Sequence, residues 1–175
     1  IFGWSVPSNQ PFFYGAWLAE WLFYILYEAG GLAINIFTRT LLVGVAFLLV
    51  AIESRRRSGS WRIAALMLAF AGLMSSNNLL VRTQIWAFLP FIITFSLLSR
   101  YEDGQLRSAW LISCPILMIF WVNLHGSFVL GLGLVGIFLF GNLLRHLLKH
   151  PLALSKRRLA WLAAVGGLSV VSILA

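Results

Sequence analysis

The chain has 175 residues, of which 61% are hydrophobic and 10% charged, and its 13 Lys and Arg against five Asp and Glu give a net charge of +8. Ordinary soluble domains carry about a quarter charged residues, so this composition excludes a water-covered globular surface and describes an integral membrane protein. The basic residues fall in short clusters between apolar runs, which argues for membrane topology and against a nucleic-acid partner.

Residues 1–15 contain Pro7, Ser8, Asn9, Gln10 and Pro11 and read as an outer loop. Over 16–29, Trp17, Leu18, Trp21, Leu22, Ile25 and Leu26 recur at helical spacing, with Glu20, Tyr24, Tyr27 and Glu28 on the other side. Such a segment rises only about 20 Å, short of a hydrocarbon core of roughly 30 Å. It predicts an amphipathic helix lying at an interface, and Gly30-Gly31 ends it. It lacks the Lys and Arg that hold free interfacial helices on anionic lipid, so it should dock on the protein's own helices.

Six spanning helices are expected over 32–53, 61–77, 84–99, 108–123, 127–147 and 159–175, so the fold class is an all-α polytopic bundle forming one transmembrane domain. The loops alternate in charge. Arg55, Arg56, Arg57 and Arg62 form one cluster, Arg100 and Arg107 a second, and Arg145, Lys149, Lys156, Arg157 and Arg158 a third. If every segment spans, all three lie on one side, which the positive-inside rule makes cytoplasmic. The N-terminal helix, the Ser75–Gln84 turn and the Asn123–Ser127 turn are then extracytoplasmic. Trp17, Trp21, Trp86 and Trp121 are expected at the outer boundary, and Trp61, Trp110 and Trp161 at the inner one. Pro90 and Pro115 fall inside spans and predict bends. The chain begins with Ile1 and stops inside the apolar run Leu168 to Ala175, so it reads as a fragment of a longer multi-pass protein.

Chemistry-bearing residues gather on the outer side. Ser75, Ser76, Asn77, Asn78, Arg82, Thr83 and Gln84 suit either a water-filled depression walled by the second and third spans or a long turn reaching water. Arg39 lies within the first span, where an ionisable group is a site candidate by default. Snorkelling to the outer surface, or an ion pair with Glu28 or Glu20, is the simpler expectation. His125 and Ser127 invite a nucleophilic reading, but two residues apart on a turn they need not meet. No metal-ligand spacing is present and no cofactor is evident. Cys114, the only cysteine, can make no disulfide within the chain. On the outer side, Glu20 and Glu28 are the available carboxylates, and Glu20 is the candidate general base.

Four stretches occur in order: Trp17-Leu18-Ala19-Glu20-Trp21, Tyr27-Glu28-Ala29-Gly30-Gly31, Val81-Arg82-Thr83-Gln84-Ile85-Trp86 and Trp121-Val122-Asn123-Leu124-His125-Gly126-Ser127-Phe128. Together they resemble bacterial multi-pass proteins related to the GT-C superfamily of lipid-linked-sugar glycosyltransferases. There a W-L-[SA]-E helix, an R-P-Q-like turn and an N-L-H-G-G turn recur on the outer face. Thr83 stands where Pro is usual, and Ser127 where a second Gly is usual. The resemblance implies transfer of a sugar from a polyprenyl-phosphate donor to an unidentified acceptor at the bacterial inner membrane, with a catalytic acid ahead of Ile1. Arg82 would neutralise the leaving phosphate, and Gln84, Asn123 and His125 would orient sugar hydroxyls, with Glu20 beside them. A transporter or flippase for lipid-linked or small solutes, or a non-catalytic assembly subunit, would share the topology.

Overall fold

The computed structural model describes residues 15–76 and 79–174, so the expected outer loop over 1–15, apart from Gly15, and the pair Asn77 and Asn78 lie outside the described residues. The described chain is helical. It comprises α1 (Trp17–Ser58), α2 (Trp61–Ser75), α3 (Phe88–Glu102), α4 (Ser113–Leu124), α5 (Phe128–Leu147) and α6 (Lys156–Val171). Short 3-10 turns lead into α3 (Thr83–Ala87) and α4 (Ser108–Ile112), and another follows α6 (Ser172–Leu174). Four segments are long and apolar enough to cross a membrane: Trp17–Ser58, Thr83–Glu102, Phe128–Leu147 and Lys156–Leu174. The helices Trp61–Ser75 and Ser108–Leu124 are apolar but shorter. Phe37, Leu73, Ile137 and Phe140 are each at least 65% exposed, a surface that needs an apolar solvent.

The stretch α1 is two helical arms, 17–29 and 32–58, joined across a kink. At the break Gly30 has φ −170 and ψ 25, and Gly31 has φ 64 and ψ −157. A side chain at Gly31 would meet its own backbone in that conformation, which only glycine adopts readily. The second arm rises about 40 Å, ample for a bilayer, so the first arm is free to lie across the bundle. Its packed side differs from the expected one. Ala16 and Ala19 are buried, whereas Trp17, Trp21 and Ile25 are exposed. Small residues let the arm's backbone approach the bundle, and the tryptophans face outward.

The main core lies between α3, α4, α5 and α6, around Leu98, Tyr101, Leu111, Val135, Leu162 and Val165. Ala87, Met118 and Trp121 form a smaller cluster with Phe128 and Leu132. Trp121 is fully buried, which corrects its expected place in the boundary belt. A Cβ at Gly131 would overlap Met118 and the Trp121 ring, so the glycine is what makes room for the indole. Trp86 is likewise half-buried, tilted against Phe23. Pro90 and Pro115 do not kink helix interiors as expected. Each is the third residue of its α-helix, after a 3-10 lead-in, where the missing N–H disturbs little of the helix that follows.

Charged groups join the helix ends into one layer. Glu53 on α1 accepts from Arg56 Nε–H, shared between its two oxygens at 3.0 Å, from Arg56 Nη2 at 2.5 Å, and from Ser99 Oγ of α3 at 2.9 Å. Arg56 reaches on to Asp103 at 2.6 Å and Gln105 at 2.9 Å. Arg145 of α5 pairs with Glu102, which also accepts from Asn142 Nδ2 at 2.9 Å. Arg158 of α6 covers the Tyr101 ring and bonds its carbonyl, and Tyr101 donates back to the Arg158 carbonyl at 2.8 Å. The three basic clusters therefore meet at one end of the bundle.

Candidate functional site

At the opposite end the first arm of α1 faces the 81–84 turn across an open groove of about 560 Å³. Helical spacing puts Glu20, Tyr24 and Tyr27 on one edge, since residues three and four apart share a face. Arg82, Thr83 and Gln84 form the other edge, and Phe23, Asn35 and Val81 also line the groove. Arg82 precedes the Thr83–Ala87 turn in extended conformation, φ −142 and ψ 159. Its carbonyl accepts from Ile85 N–H at 3.1 Å, so a short closed turn carries the exposed guanidinium. Among the described residues no carboxylate pairs with Arg82. The groove thus holds an uncompensated cation and a carboxylate in one lining, with two tyrosines more than half exposed beside them.

Asn35 is the lining residue that sequence reasoning missed. It is only 6% exposed; its Nδ2 donates to the Phe23 carbonyl at 3.3 Å, while its Oδ1 has no partner. The amide ties the two arms of α1 across the glycine break. An Asn four residues past Gly31 in an apolar run was the available signal, overshadowed by the charge of Arg39.

Of the five expected site residues, Glu20, Arg82 and Gln84 line this groove, while Asn123 and His125 do not. Asn123 fastens the arm to α4: Trp17 Nε1–H donates to its Oδ1 at 2.6 Å, and its Nδ2 donates to the Ile119 carbonyl at 2.8 Å. His125 does meet Ser127. Its Nδ1 lies 2.9 Å from Ser127 Oγ and accepts from Ser127 N–H at 3.1 Å, and Trp121 Nε1–H donates to the same hydroxyl at 3.2 Å. A backbone N–H can only donate, so Nδ1 is the bare nitrogen and the neutral ring carries its proton on Nε2. Burial lowers this imidazole below its ordinary range, and protonating Nδ1 would break the bracket. The arrangement serves as a turn lock between α4 and α5.

Arg39 pairs with neither Glu28 nor Glu20. Its Nη1 donates to the Leu79 carbonyl at 3.0 Å and its Nη2 reaches Thr40 Oγ1 at 3.4 Å. Leu79 lies in a non-helical stretch, whose carbonyls need outside donors, and Arg39 supplies one. The polar end of α2 does not wall the groove: Ser75 and Ser76 bond back to the Ala71 and Leu73 carbonyls, the latter at 2.9 Å. Among the described residues no three His, Cys, Asp or Glu side chains gather as metal ligands. No family model, curated protein or solved structure matches the chain.

Proposed function

We propose that the chain belongs to a membrane-embedded glycosyltransferase of GT-C type, taking a sugar from a polyprenyl-phosphate carrier at the extracytoplasmic face of the bacterial inner membrane. The observation that carries this reading is the shared lining of Glu20 and Arg82 at the end of the bundle remote from the basic layer. In the reaction an acceptor oxygen attacks the anomeric carbon, the carbon–oxygen bond to the phosphate breaks, and the carrier phosphate leaves with the electron pair. Arg82 compensates the charge that develops there. Glu20 is placed to take the acceptor's proton, Tyr24 and Tyr27 offer faces to a sugar ring, and the Gln84 amide can meet its hydroxyls. The groove is open, and the neighbouring helix surface is apolar, as a polyprenyl tail requires.

Glu20→Gln keeps the side chain's shape and removes its charge. Transfer from a polyprenyl-phosphate sugar by the purified variant, compared at equal folded amount, should fall by on the order of 100-fold. Transfer equal to wild type would remove Glu20 from the mechanism. Orientation has its own test. With Cys114→Ala as background, Glu28→Cys should react with an impermeant thiol reagent in intact cells and Lys149→Cys should not. The reverse pattern would place the groove in the cytoplasm and end the proposal.

A further inference from the structure

Arg55, Arg56 and Arg57 end α1 as a uniform triplet in the sequence, yet the structure gives them three different roles. Arg56 is taken up by Glu53 and Asp103. Arg55 lies over the Trp61 ring, 5.7 Å from its centre. Arg57 has neutral neighbours: its Nη1 donates to Ser99 Oγ at 3.1 Å and its guanidinium sits 5.9 Å from the Phe95 ring centre. The carboxylates of this layer, Glu53, Glu102 and Asp103, are engaged by Arg56, Arg100 and Arg145. Among the described residues Arg57 is a cation without an acid partner.

Arg57 borders a cavity of about 320 Å³ between α1, α2 and α3. Ser54 and Arg57 share one face of α1 at a spacing of three, so one hydroxyl lies beside the cation. The Ser58 hydroxyl is spent within its own turn, donating to the Ser60 carbonyl and accepting from Ser60 N–H, each at 3.2 Å. Glu53 also borders the space, with its charge already met by Arg56 and Arg100. Because α2 runs back into the bundle from Trp61, Met67 lies deeper than Arg57, as does Ile92 on α3, and the inner lining is apolar. Ile63 and Met67 are 46% and 40% exposed, so this lining continues onto the apolar outer face of α2.

We propose that this cavity binds an anionic glycerophospholipid, with the phosphate at Arg57 and Ser54 and an acyl chain over Ile63 and Met67. Charge complementarity selects the sign of the ligand, and continuity with the apolar helix face selects a chain-bearing anion over a free phosphate. One exposed guanidinium would hold inorganic phosphate weakly in water. A lipid already lying against α2 needs only the headgroup contact to be fixed. The site stands apart from the groove and does not rest on glycosyl transfer.

The test is native mass spectrometry of the protein in neutral detergent, with phosphatidylglycerol, phosphatidylcholine or glycerol phosphate added. Phosphatidylglycerol should bind roughly 5–10-fold more tightly than phosphatidylcholine, as one cation at a membrane surface provides, and glycerol phosphate should not compete. Arg57→Gln should abolish the difference, Met67→Trp should weaken retention of phosphatidylglycerol by filling the cavity, and Lys149→Gln should change neither. Met67 is partly exposed, so its variant carries the test even if Arg57→Gln fails to fold. Wild-type retention by Met67→Trp, an undiminished lipid preference in a folded Arg57→Gln, or equal competition by glycerol phosphate would overturn the proposal.

Discussion

Arg82→Ala is expected to reduce sugar transfer by on the order of 100-fold or more at equal folded amount, the usual scale for removing a preorganised group that meets developing charge. The guanidinium projects from a closed turn into the groove that Glu20 also lines, and no carboxylate neutralises it among the described residues. Arg82→Lys should recover only part of the loss, because a planar fork matches two phosphate oxygens and an ammonium does not. The comparison that gives the result meaning is Arg39→Ala. Arg39 holds the Leu79 carbonyl at 3.0 Å, three residues before Arg82. Its loss should cost about 1–3 kcal/mol of stability, as expected for a carbonyl deprived of a charged donor, with turnover per folded molecule much less affected. Normal turnover in Arg82→Ala, or a purely catalytic defect in Arg39→Ala, would reverse the assignment of the two arginines.

The largest effect on stability is expected at the other end. Glu53 is 2% exposed and meets Arg56, Ser99 and Arg100 at once. Glu53→Ala leaves the Arg56 guanidinium, itself mostly covered, with Asp103, Gln105 and the Ser99 hydroxyl in place of its buried carboxylate. Removing one partner of a buried pair typically costs about 3–5 kcal/mol. The midpoint of unfolding by a denaturing detergent should drop accordingly, and Glu53→Gln, which keeps the side chain's shape and one of its two acceptor oxygens, should drop less. An unchanged midpoint in Glu53→Ala would mean that α1 is held to α3 without this carboxylate, by the Arg56 and Arg57 contacts to Ser99 and Asp103 and by apolar packing.

How far the sequence could be read depended on whether a residue's role was local. The break at Gly30-Gly31 needs no tertiary information, because a backbone turn excluded to other residues marks itself. Alternation of Arg clusters and apolar runs likewise gave the helix count, and the structure brings those clusters together. Trp121 failed for the opposite reason. Its distance from a span's end is the same whether the indole faces lipid or the cleared space at Gly131, and only the packing of α4 on α5 distinguishes them. For Arg39 the sequence offered snorkelling or an acid partner, because water and acids are the visible options, whereas its partner is the Leu79 carbonyl, a group every residue owns. The arm's faces were misread because buried Ala16 and Ala19 carry little apolar weight beside Trp17 and Trp21, though closeness of approach was what mattered. Glu20, Arg82 and Gln84 were legible as polar residues in apolar surroundings. Asn123 carries the same signal and fastens the arm instead.

The bond from Trp17 to Asn123 joins positions separated by 106 residues, and this bears on how the protein is made. At synthesis rates of about 5–20 residues per second, on the order of 10 s pass between the ribosome adding the tryptophan and adding the asparagine. Through that interval the first arm has the Asn35 amide within its own helix and, once residue 86 is made, the Phe23–Trp86 ring contact, but no anchor on α4. The groove therefore gains its final shape only after the first four of the six described α-helices have been made. A nascent chain arrested before residue 123 would carry Glu20 and Arg82 without the clasp that fixes one edge against the other.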